Sequence, residues 1–300
     1  MKVIGVTMQK GGVGKTTTSL NLAGGLSDLG YSVLMIDMDY QCSLSDACGF
    51  RLFEDAPTLA NVLGNEMDLP EVIYPVREGL DLIPCYPGLS YADVSYGGLP
   101  SRERILERAF KKMDLGSLYD VVVLDLTNHF GLISWNAFMI MDYVILPVLP
   151  ESMPLLSLGF TVTKIGNLRE MELVKPGFEV MGILRTRWQK GGRKKMQQAA
   201  DNRIAEGFGV NVLDTVIHEN VKLAESPGKY RDIFRWNPAS QGALDYRALT
   251  KEVVNKAGLP VIRKVAAPME DKGMGGAAVM GMGPPIPGGV NENVETALAI

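Results

Sequence analysis

Residues 10–17 read Lys10-Gly11-Gly12-Val13-Gly14-Lys15-Thr16-Thr17, directly after an apolar run over Met1–Thr7 that suits an opening β-strand. A glycine-rich turn between a strand and a helix leaves backbone N–H groups pointing inward, and the helix N-terminus adds partial positive charge. The natural occupant is anionic phosphate, cradled by the backbone from Lys10 through Gly11, Gly12, Val13 and Gly14 to Thr17. Lys15 can reach the β- and γ-phosphates as a point charge, and the Thr16 hydroxyl is placed to ligate Mg2+. The usual phosphate-loop pattern wants glycine at position 9, where Gln9 stands, and a second lysine, Lys10, opens the loop instead. A lysine at the mouth cannot easily fold back onto phosphates that its own backbone already wraps. It can reach phosphates held by a facing subunit.

Composition narrows the field further. The 300 residues are 46% hydrophobic, which suits one sizeable α/β domain rather than two compact ones. A formal charge of −4 excludes a globally basic nucleic-acid binder, so any nucleic-acid contact must come from a local patch. Cys42, Cys48 and Cys85 are odd in number and lack metal-site spacing, which points to small buried side chains in a reducing cytosol. No signal-peptide layout and no stretch of membrane-spanning length is present, so a soluble, cytoplasmic protein is expected.

Short β-rich runs alternate with helical patterns. Strands are expected over Lys2–Thr7, Ser32–Asp37, Leu80–Pro84, Val121–Asp125, Tyr143–Val148, Val180–Leu184 and Val210–Val216. Helices are expected over Lys15–Leu29, Ser101–Lys112, Met153–Leu173, Arg193–Gly207 and Ser240–Gly258. Continuous apolar runs such as Val121-Val122-Val123-Leu124 suit strands covered on both faces. The alternation predicts an α/β fold with a doubly wound, mainly parallel sheet flanked by helices. Ligands on such a sheet sit at the strands' carboxyl ends, where the phosphate loop, Asp37 and Asp125 would meet. From about Val265 the chain turns dense in Gly, Met and Pro without period, so a domain over 1–263 and a flexible tail over 264–300 are expected.

Two acidic motifs follow the loop. Val33–Gln41 ends a buried strand with Asp37 and Asp39, a costly pair without a partner such as magnesium and a nucleophilic water. Tyr119–Asp125 is a hydrophobic strand closing on an acid, a layout in which Asp125 would hold Mg2+ through water. Taken together, the octet and these motifs resemble the deviant Walker A group of P-loop ATPases, the ParA/MinD group, and the shorter Soj-like class within it. The resemblance runs over roughly residues 1–258, through Asn21-Leu22-Ala23, Leu223–Pro227, Asn237–Ala243, Tyr246 and Glu252. It implies an ATP- and Mg2+-dependent ATPase that forms a homodimer with ATP sandwiched between subunits. By position, Lys10 would cross to the partner's nucleotide and Lys15 would hold the phosphates. Asp39 would orient or deprotonate the attacking water. Thr16, Asp37 and Asp125 would surround the metal. Because the chain begins on its first strand, it is expected to lack the N-terminal helix-turn-helix of some relatives.

The resemblance also implies partners: nonspecific DNA, and a ParB-like or other cargo adaptor that stimulates otherwise slow hydrolysis. The cargo would be a plasmid, a chromosome origin or a protein assembly, and the protein would associate with the nucleoid. Candidate DNA contacts are Arg185, Arg187, Lys190, Arg193, Lys194 and Lys195, a run without an acid, extended by Lys222, Lys229, Arg231 and Arg235. Three departures stand out. Tyr40 replaces the usual proline of the second motif. Leu126-Thr127-Asn128-His129 replaces a proline-stiffened switch, and Glu219 stands where relatives carry a DNA-holding arginine. Competing readings are a MinD-like membrane ATPase and a metabolic or electron-transfer P-loop enzyme. The first needs a basic C-terminal amphipathic helix, whereas residues 290–300 contain no Lys or Arg. The second, in its iron–sulfur form, needs suitably placed cysteines.

Overall fold

The computed structural model describes residues 1–50, 56–149, 154–188 and 210–262. The helix expected at Arg193–Gly207, four of the six candidate DNA-contacting residues (Lys190, Arg193, Lys194 and Lys195) and the boundary and tail expected at 263–300 lie outside these residues. An eight-stranded sheet runs through the described residues, built from β1 (Lys2–Val6), β2 (Val33–Met38), β3 (Tyr74–Arg77), β4 (Leu80–Ile83), β5 (Val121–Leu126), β6 (Tyr143–Val148), β7 (Glu179–Trp188) and β8 (Val212–His218). Their spatial order is β3-β4-β2-β5-β1-β6-β7-β8. All neighbours pair in parallel except β3 and β4. The doubly wound α/β architecture expected of the alternating pattern is therefore present.

The apolar runs work as two-sided strands. Val122 and Leu124 of β5 pack into one core with Phe138, Ile105 and Leu158, whereas Val121 and Val123 pack into the other with Leu22, Leu26 and Leu249. Successive side chains of a strand point to opposite faces, so a run of four apolar residues serves both layers. The helices Leu132–Phe138 and Pro154–Glu170 cover the first face, and the helices Lys15–Asp28 and Gln241–Lys256 cover the second.

Three expectations are corrected. The edge strand β3 is absent from the expected set: Tyr74-Pro75-Val76-Arg77 is short, and its proline is tolerated because it lies on the outermost strand. The expected strand Val180–Leu184 continues to Trp188, absorbing Arg185 and Arg187 into β7. The helix expected from Ser101 starts at Ile105, behind a 3-10 turn over Arg102–Arg104. No helix among the described residues is long and apolar enough to cross a membrane.

Candidate nucleotide site

The loop leaves the carboxyl end of β1, the strand between β5 and β6, and enters the Lys15–Asp28 helix. Gly12 and Gly14 adopt φ of +73° and +89°, a region that favours glycine, and Gly14 is the residue that caps the helix. A Cβ placed on Gly11 or Gly12 would meet nothing within 4 Å, so the loop is unobstructed at these two exposed positions. Lys10 is partly exposed beside these two exposed glycines. The wall of the loop is fixed from β7: the Thr186 hydroxyl lies 2.8 Å from the Val13 carbonyl oxygen and 3.0 Å from that of Val148. Thr186 sits in the run that reads in sequence as a cationic surface, and among the described residues of that run it is the buried one.

Below the loop the acids converge. Asp37 on β2 and Asp125 on β5 are register partners on adjacent parallel strands, and both are fully buried. Asp125 accepts from the Thr16 hydroxyl at 2.7 Å and from the Ser19 hydroxyl at 2.9 Å. Asp37 accepts from the backbone N–H and the hydroxyl of Ser45 at 2.8 and 2.7 Å, and from the Asp39 N–H at 3.1 Å. Asp39 accepts from the Gln41 N–H at 3.1 Å, and its other oxygen is 4.0 Å from the Lys15 ammonium. Burial pushes the Asp37 carboxyl up to about 6, against its three hydrogen bonds. Burial, and then the neighbouring Asp37 charge, push Asp125 up to about 7, against the Thr16 and Ser19 hydroxyls and Lys15. Two abutting carboxylates in a dry place favour a shared cation.

Ser19 and Ser45 are functional neighbours that the sequence reading misses. Ser19 follows Thr16 at i+3, so both hydroxyls lie on one helix face toward Asp125, and that spacing is a readable signal. Ser45 reaches Asp37 only because the Ser43–Ala47 helix folds back over β2, a long-range packing fact with no local signature. A hydroxyl and nearby carboxylates form a hard oxygen set. Among the described residues no group of three or more His, Cys, Asp or Glu side chains gathers into an all-protein metal cage. Such a set fits Mg2+, which keeps several waters and takes ligands from phosphates.

The cationic candidates are placed differently from one another. Arg185 donates to the carbonyl oxygens of Leu213 and Asp214 at 2.9 and 3.1 Å and lies over the Trp188 ring, tying β7 to β8. Arg187 is exposed and pairs with Glu219 at 3.4 Å, so the acid that departs from the expected arginine faces a member of the basic run itself. Lys222 pairs with Glu225, Arg235 with Asp28, Lys229 lies over Trp236, and Arg231 is exposed.

Residues 1–176 match the family model described as an AAA domain. The chromosome-partitioning ATPase Soj of Thermus thermophilus is 34% identical over 84% of this chain and 94% of its own length. An uncharacterized protein of Mycobacterium tuberculosis is also 34% identical, over 86% of this chain and 80% of its own. Among solved structures, a variant McdA protein of Cyanothece in complex with ATP superposes with a TM-score of 0.76 at 21% identity, covering 87% of this chain and 98% of that one.

Proposed function

The chain belongs to the Soj/ParA family of P-loop ATPases, and from that premise we propose that it is an ATP- and Mg2+-dependent dimerising switch. In this reading it binds nonspecific DNA in its ATP state and partitions or positions a cargo, with an adaptor protein stimulating hydrolysis. The observation that carries the proposal is the grip on Asp125: two hydroxyls, from Thr16 and Ser19, reach down from the helix that begins at the glycine loop. That contact links the phosphate cradle to a buried acid, which is what a metal-nucleotide site requires.

Each residue then has a task. The N–H groups from Gly11 to Thr17 and the Lys15 ammonium bind the β- and γ-phosphates, and Lys15 exchanges its contact with Asp39 for phosphate oxygens. Thr16 would ligate Mg2+ directly, with Asp125 holding it through a water and Asp37 adding charge beside it. The metal supplies charge neutralisation at the phosphates. Asp39, released from Lys15, accepts a proton from or orients the attacking water. Lys10, at the mouth, serves the nucleotide of the facing subunit.

The test is DNA retention with ATP, ADP or no nucleotide, alongside light scattering with a non-hydrolysable ATP analogue, for wild type and Lys10→Ala. The expected result is ATP-dependent dimerisation and retention in wild type, both lost in Lys10→Ala while nucleotide still binds. A chain that remains monomeric when saturated with the analogue, or holds DNA equally without nucleotide, overturns the proposal.

A further inference from the structure

The stretch after Asp125, Leu126-Thr127-Asn128-His129, contains no proline, and the structure ties it down at its far end. Asp93, on the short helix Ala92–Ser95, reaches across and accepts from the Leu132 N–H at 2.6 Å, capping the Leu132–Phe138 helix from outside. Its other carboxyl oxygen lies 3.3 Å from His129 Nε2. His129 lies within that stretch, and its own N–H lies 3.3 Å from the Thr127 hydroxyl.

Gly131 lies under this pair. Its φ of −124° is open to any residue, so backbone freedom does not explain a glycine there. A Cβ on Gly131 would stand 2.5 Å from Asp93 Oδ2 and 2.8 Å from His129 Nε2, the ends of two exposed side chains, so an alanine there would displace the pair without straining the backbone. The carboxylate also comes from a fixed abutment. Leu89 and Ala92 are buried, and the Tyr96 hydroxyl donates to the Ala60 carbonyl oxygen at 3.1 Å.

We propose that Asp93 is a positioning residue for the segment after Asp125: together with His129 it latches residues Leu126 to Gly131 between two anchors, limiting how far the segment can move. The near anchor is Asp125, held by Thr16 and Ser19. The far anchor is the Asp93 carboxylate on Leu132 and His129. The proposal rests on the reading of the chain as an ATPase, because the segment matters to chemistry only if Asp125 serves a metal-nucleotide. The Asp93 carboxylate bonds to Leu132 and His129 and not to the loop, Asp37, Asp39 or Asp125, so its removal should act on turnover through geometry and not through binding.

The test compares the full chain with Asp93→Ala, Asp93→Asn, Gly131→Ala and His129→Gln. Three quantities are read: ATP turnover at saturation, affinity for a fluorescent ATP analogue, and hydrogen exchange of the Leu132 amide. Asp93→Ala and Gly131→Ala are expected to lower turnover by about fivefold, the size of a lost cap. Affinity should stay within about twofold, the split expected of an interaction that acts after binding. Exchange at Leu132 should quicken in both. Asp93→Asn keeps an acceptor for that amide and should keep its slow exchange. His129→Gln should lower turnover in the wild-type background and add nothing in Asp93→Ala. Unchanged turnover in Asp93→Ala and Gly131→Ala, additive effects of His129→Gln, or turnover and affinity falling together would overturn the latch. If the wild-type chain neither binds the ATP analogue nor turns ATP over, the ATPase reading fails, and the latch stands or falls on Leu132 exchange alone.

Discussion

Asp37 and Asp125 sit side by side, and only a cation or a proton reconciles two carboxyl groups in that place. Their folded values near 6 and 7 lie above the ordinary carboxylate value of about 3.9. The folded, nucleotide-free protein therefore keeps protons that an unfolded chain has released. The stability this gives is full below about pH 4 and is lost as pH rises through the folded values. In EDTA the melting temperature should thus fall between about pH 4 and pH 7, the window set by the unfolded and folded values. Asp125→Asn, a neutral group of the same shape, should flatten that fall and raise the melting temperature at neutral pH while abolishing ATP turnover. Mg-ATP, which favours the ionised acids, should stabilise wild type more at pH 8 than at pH 6. A melting temperature that rises across the EDTA window in wild type would contradict the burial argument. The two acids are legible in the sequence because each closes an apolar strand. Their hydroxyl partners are half legible: Ser19 carries a helical spacing to Thr16, but Ser45 is brought by a fold-back that no local pattern announces.

At the scale of elements, the buried parallel strands are readable because an apolar run covered on both faces leaves a compositional trace, as in Val121–Leu124. What escapes are elements decided by neighbours. β3 is an edge strand with a proline, held by Arg77 donating to the Ser27 hydroxyl at 2.9 Å and to Asp232 at 3.2 Å. β7 runs on to Trp188 because Arg185 bonds across to β8, so residues that read as a charged surface are partly ladder. The Lys15–Asp28 helix shows the same dependence in its two glycines. A Cβ on Gly25 would overlap the Thr250 hydroxyl and stand 3.2 Å from Thr250 Cβ, on the Gln241–Lys256 helix. The Thr250 hydroxyl is itself committed to the Tyr246 carbonyl oxygen at 2.7 Å. Alanine favours an isolated helix over glycine by about 1 kcal/mol, but overpacking a tight contact costs about 1–3 kcal/mol. Packing is expected to win: Gly25→Ala should lower the urea midpoint without changing the slope of unfolding, and adding Thr250→Ala should recover part of the loss. A Gly25→Ala protein as stable as wild type would mean that the two helices can separate freely.

For the whole molecule the question is how a chain with net charge −4 would hold a polyanion. Only a concentrated patch can do so, and the affinity it generates comes mainly from counterion release, with a salt slope of about 0.9 per phosphate neutralised on duplex DNA. Arg187 is exposed but leans on Glu219 at 3.4 Å. An exposed pair of this kind is weak, worth about 0–1 kcal/mol, so its loss should hardly touch folding. For DNA the same acid costs twice: it occupies one cation and repels phosphate beside it. Glu219→Ala should therefore tighten ATP-dependent DNA retention and steepen the dependence of log K on log salt by about 0.9, the contribution of one further phosphate contact. Glu219→Arg should steepen it again, and adding Arg187→Ala to Glu219→Ala should return the slope to the wild-type value. Melting temperature and ATP affinity are expected to stay as in wild type in all three, which separates a surface effect from damage to the fold. If the slope does not move in Glu219→Ala, the DNA surface lies away from the end of β7, and Arg187 with Glu219 is a solvated pair on a face that never meets phosphate.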